Sequence, residues 1–136
     1  MSDDPVPTPL PAGWKQPSGY SNAVEARGRQ IYVAGQVGWD PASETFASDE
    51  FVEQARQALR NIVAVLAAAG GEPRHLVRLT WYITDRDAYL AARRELGTAY
   101  REIVGRQFPA MTLVVVAGLL EERAKVEIEA TAVVPG

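Results

Sequence analysis

The sequence predicts an α+β fold in which two helices cover one face of a single mixed sheet, in the order ββ-α-β-α-ββ. Three observations carry this prediction. Residues 77–84 alternate apolar and polar side chains, residues 48–69 and 87–104 repeat apolar side chains at helical spacing, and residues 113–120 form a continuous apolar run. A chain of 136 residues with 47% hydrophobic content is long enough for one domain with a core, and too short for two.

The first 18 residues are expected to form an arm, and residues 19–136 the single packed domain. Proline removes a backbone donor and fixes φ, so a segment dense in proline favours extended conformations. Prolines stand at positions 5, 7, 9, 11 and 17. The arm is therefore expected to be ordered only where another part of the assembly holds it.

The packed domain is predicted to begin with a β-hairpin formed by residues 22–26 and 30–36. Gly28 lies between these two strands and can adopt the positive φ of a tight turn. Residues 38–47 contain turn-forming residues and no period, so they are predicted to be a loop.

Two helices and a strand follow the loop. Ser48 is the predicted N-cap of the first helix, and Gly70 the residue that ends it. The alternating residues 77–84 form the next strand. The second helix is predicted as one element over residues 87–104, with Gly97 tolerated inside it at about 1 kcal/mol relative to alanine.

Two closing strands are predicted at residues 112–117 and 125–134. The apolar run at 113–120 indicates a strand that is covered on both faces, whereas two helices can cover only one face of a sheet. An uncovered apolar face is costly in water, so the other face is expected to meet another copy of the chain.

Composition argues against several classes of function. The formal net charge of -3 and the lack of a basic run make nucleic acid an unlikely partner. No cysteine is present, and the single histidine, His75, is expected at the surface, so no metal site is predicted. The acidic first residues do not resemble a secretion signal and no apolar run is long enough to span a membrane, which together favour a cytoplasmic protein.

Four ordered segments resemble the RidA family, also called YjgF/YER057c/UK114: GYSNAV, VAGQVGWDP, QARQALRNIVAVLAAAGG and VEIEATAVV, at residues 19–24, 33–41, 54–71 and 126–134. The stretch FPAMTLVVVAGLL at residues 108–120 resembles the C-terminal half of the same family. The resemblance implies a chorismate-mutase-like fold that assembles as a homotrimeric barrel, with helices outside and ligand clefts between subunits. It also implies the hydrolysis of reactive imines or enamines to carbonyl compounds and ammonia, without a cofactor.

The resemblance assigns roles to three residues that match the family pattern. Glu127 matches a glutamate that orients the attacking water, Tyr20 a tyrosine that borders the cleft, and Gly35 a glycine whose backbone faces the ligand. Alternation independently places Glu127 on the polar face of the last strand, where it is either a solvated charge or a carboxylate desolvated by a neighbouring subunit. Tyr20 has the alternative role of anchoring the start of the hairpin.

The chain departs from the family at the ligand anchor. Met111 stands where members commonly have an arginine that binds a substrate carboxylate, and Leu113 stands where a small or sulfur-bearing residue is common. A thioether has neither charge nor donor, so the cleft is expected to lose its preference for a carboxylate. Arg93 on the second helix either supplies a displaced positive charge or is an ordinary solvated residue.

Two functions follow from these observations. The first is an imine or enamine deaminase with altered substrate preference. The alternative is a non-catalytic module that binds or senses a small metabolite in the same cleft between subunits. Met111 favours the second, and the retained Glu127, Tyr20 and Gly35 favour the first.

Overall fold

A computed structural model describes residues 3–136 and contains one four-stranded mixed sheet with helices against one face. The strands are β1 (Val6–Pro7), β2 (Val24–Glu25), β3 (Arg29–Val37), β4 (Leu76–Ile83), β5 (Ala110–Val115) and β6 (Val126–Val134). The helices are α1 (Phe51–Ala68), α2 (Arg86–Ala91) and α3 (Arg93–Ile103), with a 3₁₀ turn at Pro73–His75. The sheet order is β3-β6-β4-β5, and only the pairing of β4 with β5 is parallel. The predicted α+β class and mixed sheet are confirmed.

The hydrophobic core lies between the helices and the sheet. Leu59, Ile62 and Leu66 of α1 are fully buried and belong to the same cluster as Leu79 and Ile83 of β4. Burying one such side chain contributes roughly 1.5–3 kcal/mol, so the helical stripe of α1 and the alternation of β4 stabilise each other. The opposite face of the sheet is not covered by any helix of the described chain.

The predicted hairpin is wrong. β2 pairs antiparallel with β1 in the arm, whereas β3 pairs with β6. Gly28 does have a positive φ of 146°, but it lies against the end of β6, where a Cβ would be 2.7 Å from the carbonyl carbon of Val134. Gly28 therefore permits close approach to β6 instead of turning the chain back on itself.

Both predicted helices need correction at particular residues. α1 begins at Phe51 with Glu50 as N-cap, and the Ser48 hydroxyl instead accepts a hydrogen bond from the Glu50 N–H at 2.9 Å. Gly70 follows the end of α1 with φ 83°, as predicted. The second helix is two helices, because at Ala92 the backbone leaves helical geometry (φ -99°, ψ 5°). Apolar spacing continues across this break, so periodicity alone could not locate it.

The proline-rich segment contacts the domain at two places. The Thr8 N–H donates to the Ala23 carbonyl at 3.0 Å, next to the pairing of β1 with β2. The Asp4 carboxylate accepts from Arg74 Nε at 3.0 Å and lies 3.6 Å from Nε2 of His75. His75 is buried, contrary to expectation, because its Nδ1 accepts the Glu72 N–H at the start of the 3₁₀ turn.

The closing strand β5 begins earlier and ends earlier than predicted. Val114 and Val115 are 39% and 51% exposed at the edge of the sheet, and Leu120 lies beyond the strand with 95% exposure. Cover from a second copy of the chain stays a prediction. In residues 3–136 no helix combines the length and hydropathy needed to cross a membrane.

Candidate functional site

A cleft of about 1050 Å³ lies where the arm, helices α2 and α3, and the edge strand β5 meet. Its lining includes aromatic and aliphatic side chains together with four arginines and, within the described chain, no aspartate or glutamate. Because the whole chain carries a formal charge of -3, this concentration of positive charge is local. The cleft is therefore suited to a ligand with both an apolar part and an acceptor or negative charge.

Helix α3 supplies one wall of the cleft. Arg93, Gly97 and Arg101 recur every four residues, so they share one face of the helix, and all three line the cleft. Leu96 and Tyr100 flank this stripe and turn towards the core. This wall of the cleft therefore combines the charged side chains of the stripe with the apolar packing of Leu96 and Tyr100 beside it.

Strand β5 supplies the facing wall. Met111 is paired with Leu79 and Leu113 with Trp81 across the parallel ladder, so both side chains point to the helix-covered side of the sheet. Met111 and Leu113 are partly buried against the core and line the cleft. This wall is apolar where a charged anchor is common in the family that the sequence resembles.

The segment that carries Tyr20 is attached to the start of β5. The Ser21 N–H donates to the Pro109 carbonyl at 3.1 Å, and the Ser21 hydroxyl donates to the Phe108 carbonyl. Tyr20 lines the cleft and remains 42% exposed. Ser21 is therefore the contact that holds Tyr20 beside the apolar wall.

A second tyrosine that lines the cleft, Tyr100, is held by a ring contact and a hydrogen bond. The ring of Tyr100 stacks on Phe108 with centroids 5.8 Å apart, and the Tyr100 hydroxyl donates to the Gln107 carbonyl at 2.7 Å. Burial of this phenol in the protein raises the pKa of Tyr100 above its ordinary value. The neutral donor therefore persists at physiological pH and holds the loop that precedes β5.

Glu127 and Gly35 lie together on the uncovered face of the sheet. Glu127 is paired with Tyr82 of β4, whose neighbours Trp81 and Ile83 point to the core, so Glu127 points away from the helices. A Cβ on Gly35 would be 2.9 Å from the carboxyl carbon of Glu127. The missing side chain at Gly35 is what leaves room for this carboxylate.

The second glutamate of the same strand is already engaged. The Tyr82 hydroxyl donates to Glu129 Oε1 at 2.7 Å. This hydrogen bond is the main cause of a raised pKa for Tyr82, and burial and the charges of Glu129 and Glu127 act in the same direction. Glu127, by contrast, has no side-chain hydrogen bond or ion pair within residues 3–136.

The predicted site residues thus fall into two groups in one chain. Tyr20, Arg93, Met111 and Leu113 line the cleft, whereas Gly35 and Glu127 lie on the opposite side of the sheet.

Most residues that line the cleft were not predicted as site residues, among them Trp81, Arg101 and Arg106. The four-residue spacing of Arg93, Gly97 and Arg101 could have indicated a shared face. The alternation of β4 marks Trp81 only as a core residue. Arg106 lies in a loop where the sequence shows no repeating pattern of apolar residues.

Trp39 lies outside this cleft. Trp39 packs on Phe46 with ring centroids 5.8 Å apart, and it is not part of the cleft lining. Among residues 3–136 no group of three or more histidine, cysteine, aspartate or glutamate side chains is arranged to hold a metal ion.

Comparison with known proteins gives consistent matches over nearly the whole chain. Residues 14–134 match the family profile described as Endoribonuclease L-PSP. A protein of Capra hircus named 2-iminobutanoate/2-iminopropanoate deaminase is 39% identical over 114 residues, which are 84% of this chain and 79% of that protein.

Solved structures agree with the sequence matches. The crystal structure of a Rid-family protein of unknown function from Yersinia pestis superimposes with a TM-score of 0.82 at 33% identity, covering 96% of this chain and 99% of that one. A Mycobacterium tuberculosis member of the YjgF/YER057c/UK114 family gives a TM-score of 0.63 at 34% identity, covering 85% and 87%. These matches confirm the family predicted from the ordered segments, and the chain belongs to the Rid family, also known as YjgF/YER057c/UK114.

Proposed function

We propose that the protein is a cofactor-free deaminase that hydrolyses a reactive imine or enamine to a carbonyl compound and ammonia. The observation that carries this proposal is the carboxylate of Glu127, which packs on Gly35 without a side-chain partner in the described chain. A carboxylate that is not committed to an ion pair is available to accept a proton. The deaminase name of the relative from Capra hircus supports the same reaction class.

The reaction needs one base and a few positioning groups. Glu127 accepts a proton from water while the water oxygen forms a bond to the carbon of the C=N group, and the protonated carboxyl group then gives that proton to the nitrogen. In the resulting carbinolamine the regenerated carboxylate removes the hydroxyl proton and passes it to the nitrogen, so that the C–N bond breaks, ammonia leaves, and the carbonyl product and the free carboxylate remain. Tyr20 and the backbone at Gly35 hold the ligand. Such imines hydrolyse readily unaided, so general base catalysis of roughly 10²–10⁴-fold suffices.

The site requires more than one copy of the chain. Tyr20 and Met111 line a cleft on the helix-covered side of the sheet, and Glu127 lies on the other side, so one chain cannot present all three to one ligand. A homotrimer with ligand clefts between subunits would join the cleft of one subunit to the Glu127 face of the next. The exposed edge at Val114 and Val115 supports this assembly.

The assembly is tested by light scattering at micromolar concentration. We expect a mass close to three times the 14.8 kDa of one chain. A stable monomer at that concentration would contradict both the trimer and the shared cleft.

Met111 supports a change in substrate preference. An arginine hydrogen-bonded to a carboxylate is worth about 1.5–3 kcal/mol, so its absence lowers efficiency by roughly tenfold to a hundredfold. We therefore expect imines of ordinary 2-amino acids to be poor substrates. The measurement is kcat/KM for 2-iminopropanoate generated in the assay, with Met111→Arg as the matched variant that should raise it. Efficient hydrolysis by the unaltered protein, with no gain in Met111→Arg, would contradict this preference.

The alternative function is binding of a small metabolite without turnover. The apolar wall formed by Met111 and Leu113 favours it, because such a wall can hold an uncharged ligand without any catalytic step. Absence of hydrolysis across neutral and acidic imines, in a trimeric protein that still binds ligand, would select this alternative.

A further inference from the structure

Three arginines of the cleft have side chains without an ion-pair partner in the described part of the chain. Arg56, Arg74 and Arg123 each form an ion pair with a carboxylate. Within residues 3–136, three of the four arginines that line the cleft form no ion pair and no side-chain hydrogen bond; they are Arg93, Arg101 and Arg106. Their donors are therefore available to a ligand, and no acidic residue of the cleft lining competes for them.

Gly97 lies between two of these arginines on the face of α3 that lines the cleft. Arg93 and Arg101 are two helical turns apart, and a long side chain on a helix leans towards the N-terminus. The guanidinium of Arg101 follows this direction and lies back over Gly97, where an added Cβ would be 3.2 Å from its Nη1. A glycine inside a helix costs about 1 kcal/mol relative to alanine. At this position the missing side chain leaves room for the Arg101 guanidinium beside the helix.

The wall opposite the arginines suits an apolar body. Met111 and Leu113 present aliphatic side chains, and Trp81 lies beside them with only 4% of its surface exposed. The indole Nε1 of Trp81 is buried and has no hydrogen-bond partner in the described chain. A ligand oxygen that reached this nitrogen would satisfy a donor that is otherwise costly to bury.

We infer that the cleft binds an amphipathic carboxylic acid, with its apolar body against Met111, Leu113 and Trp81 and its carboxylate held by Arg93 and Arg101, with Arg106 at the mouth. As a description of the substrate, this inference rests on the proposed deaminase function. A carboxylate attached directly to the C=N carbon would lie at the β5 wall, where Met111 offers no charge. An acid group separated from that carbon by an apolar spacer reaches the α3 wall instead.

The test compares a charged probe with its uncharged isostere. 3-Phenylpropionate and 3-phenylpropionamide are titrated calorimetrically into the unaltered protein, the double variant Arg93→Gln/Arg101→Gln, and Arg94→Gln. Arg94 is the matched control, because it neighbours Arg93 on α3 but does not line the cleft. All substituted residues are exposed, and thermal unfolding verifies that each variant folds as the unaltered protein does.

We expect the unaltered protein and Arg94→Gln to prefer the carboxylate. The double variant should bind the carboxylate roughly tenfold to a hundredfold more weakly and the amide within about threefold of the original affinity. Equal affinity of the unaltered protein for both probes would overturn the inference. So would a carboxylate preference that survives in the double variant, or no binding of the carboxylate at millimolar concentration.

Binding and turnover separate the two proposals. Carboxylate binding that depends on these arginines, in a protein that hydrolyses no imine, would reject the deaminase function and retain the anion site. Hydrolysis by a protein without this carboxylate preference would retain the deaminase and reject the anion site.

Discussion

Each side of the sheet carries a charged group that has no partner within residues 3–136, arginines on one side and a carboxylate on the other. On the helix-covered side, at the β5 edge, Arg93 and Arg101 border an apolar cleft. On the uncovered side, Glu127 lies on Gly35 beside the hydrogen-bonded pair of Tyr82 and Glu129. The sheet keeps the arginines and the carboxylate apart, so neither charge neutralises the other within one chain.

The difference between the two sides indicates that one side binds the ligand and the other supplies the catalytic base. Unpaired arginines bind an anion, whereas an unpaired carboxylate accepts a proton, and an ion pair between them would prevent both. If assembly places the arginines of one subunit opposite Glu127 of the next, a ligand can lie between the two charges. Substitutions confined to one side should therefore change one property and leave the other unchanged.

The largest expected effect comes from the uncovered side. Glu127→Gln keeps the shape of the side chain but removes the base, so turnover should fall by about 10²–10⁴-fold while the trimer and ligand affinity persist. The measurement is single-turnover hydrolysis alongside light scattering and calorimetry.

Glu129→Gln is the control for this prediction. Glu129 already accepts a hydrogen bond from the Tyr82 hydroxyl, so Glu129→Gln should lower turnover less than Glu127→Gln does. Equal losses from both substitutions would mean that the two carboxylates act together, or that Glu129 is the base.

A smaller effect is expected from displacing the same carboxylate without removing it. In Gly35→Ala the new methyl group must push the flexible Glu127 side chain aside, and a displacement of about 1 Å can cost roughly a hundredfold in rate. The free energy of unfolding should change by less than about 0.5 kcal/mol, because only a side-chain end has to move.

Gly38→Ala is the matched comparison, since its Cβ would lie 2.5 Å from Cα of Gln54 in α1. Here backbone must move, so unfolding should become easier by about 1–3 kcal/mol. Urea denaturation and the turnover assay, applied to both variants, distinguish the two outcomes. A Gly35→Ala protein with full activity would mean that the position of Glu127 is not critical.

The two sides also differ in how far the sequence could predict them. The uncovered face follows from the alternation of β6, because period two decides where Glu127 and Glu129 point. The cleft has no such local pattern, since Tyr20, Trp81 and Arg106 come from segments distant in the chain. Contacts between these segments depend on the order of the strands in the sheet. Turn residues alone do not determine that order, because they predicted a hairpin where β2 instead pairs with β1 and β3 pairs with β6.

The ends of helices could be predicted where a helix-breaking residue marks them, and not where a helix-forming residue stands at the break. Gly70 ends α1 as expected, because a left-handed residue stops a helix. The break at Ala92 leaves no such mark, since alanine is a good helix former. The buried His75 was also missed, because the hydrogen bond that its side-chain Nδ1 accepts from the Glu72 N–H forms only once the 3₁₀ turn exists.

The smallest expected effect tests the support beneath the cleft. Tyr100→Phe keeps the ring that stacks on Phe108 but removes the donor to the Gln107 carbonyl, so the free energy of unfolding at pH 7 should fall by about 0.5–1.5 kcal/mol.

The stability difference between the unaltered protein and Tyr100→Phe should depend on pH. Because burial raises the pKa of Tyr100, the folded protein keeps the phenol neutral while the unfolded chain ionises near its ordinary pKa of about 10. The stabilisation from Tyr100 is therefore complete below pH 10 and is lost as pH rises towards the folded-state pKa. In urea titrations at pH 7, 9 and 11, the unaltered protein should lose its advantage over Tyr100→Phe at the highest pH, whereas Tyr82 should contribute an alkaline loss common to both proteins. A difference that stays constant across this range would mean that Tyr100 ionises equally in the folded and unfolded states.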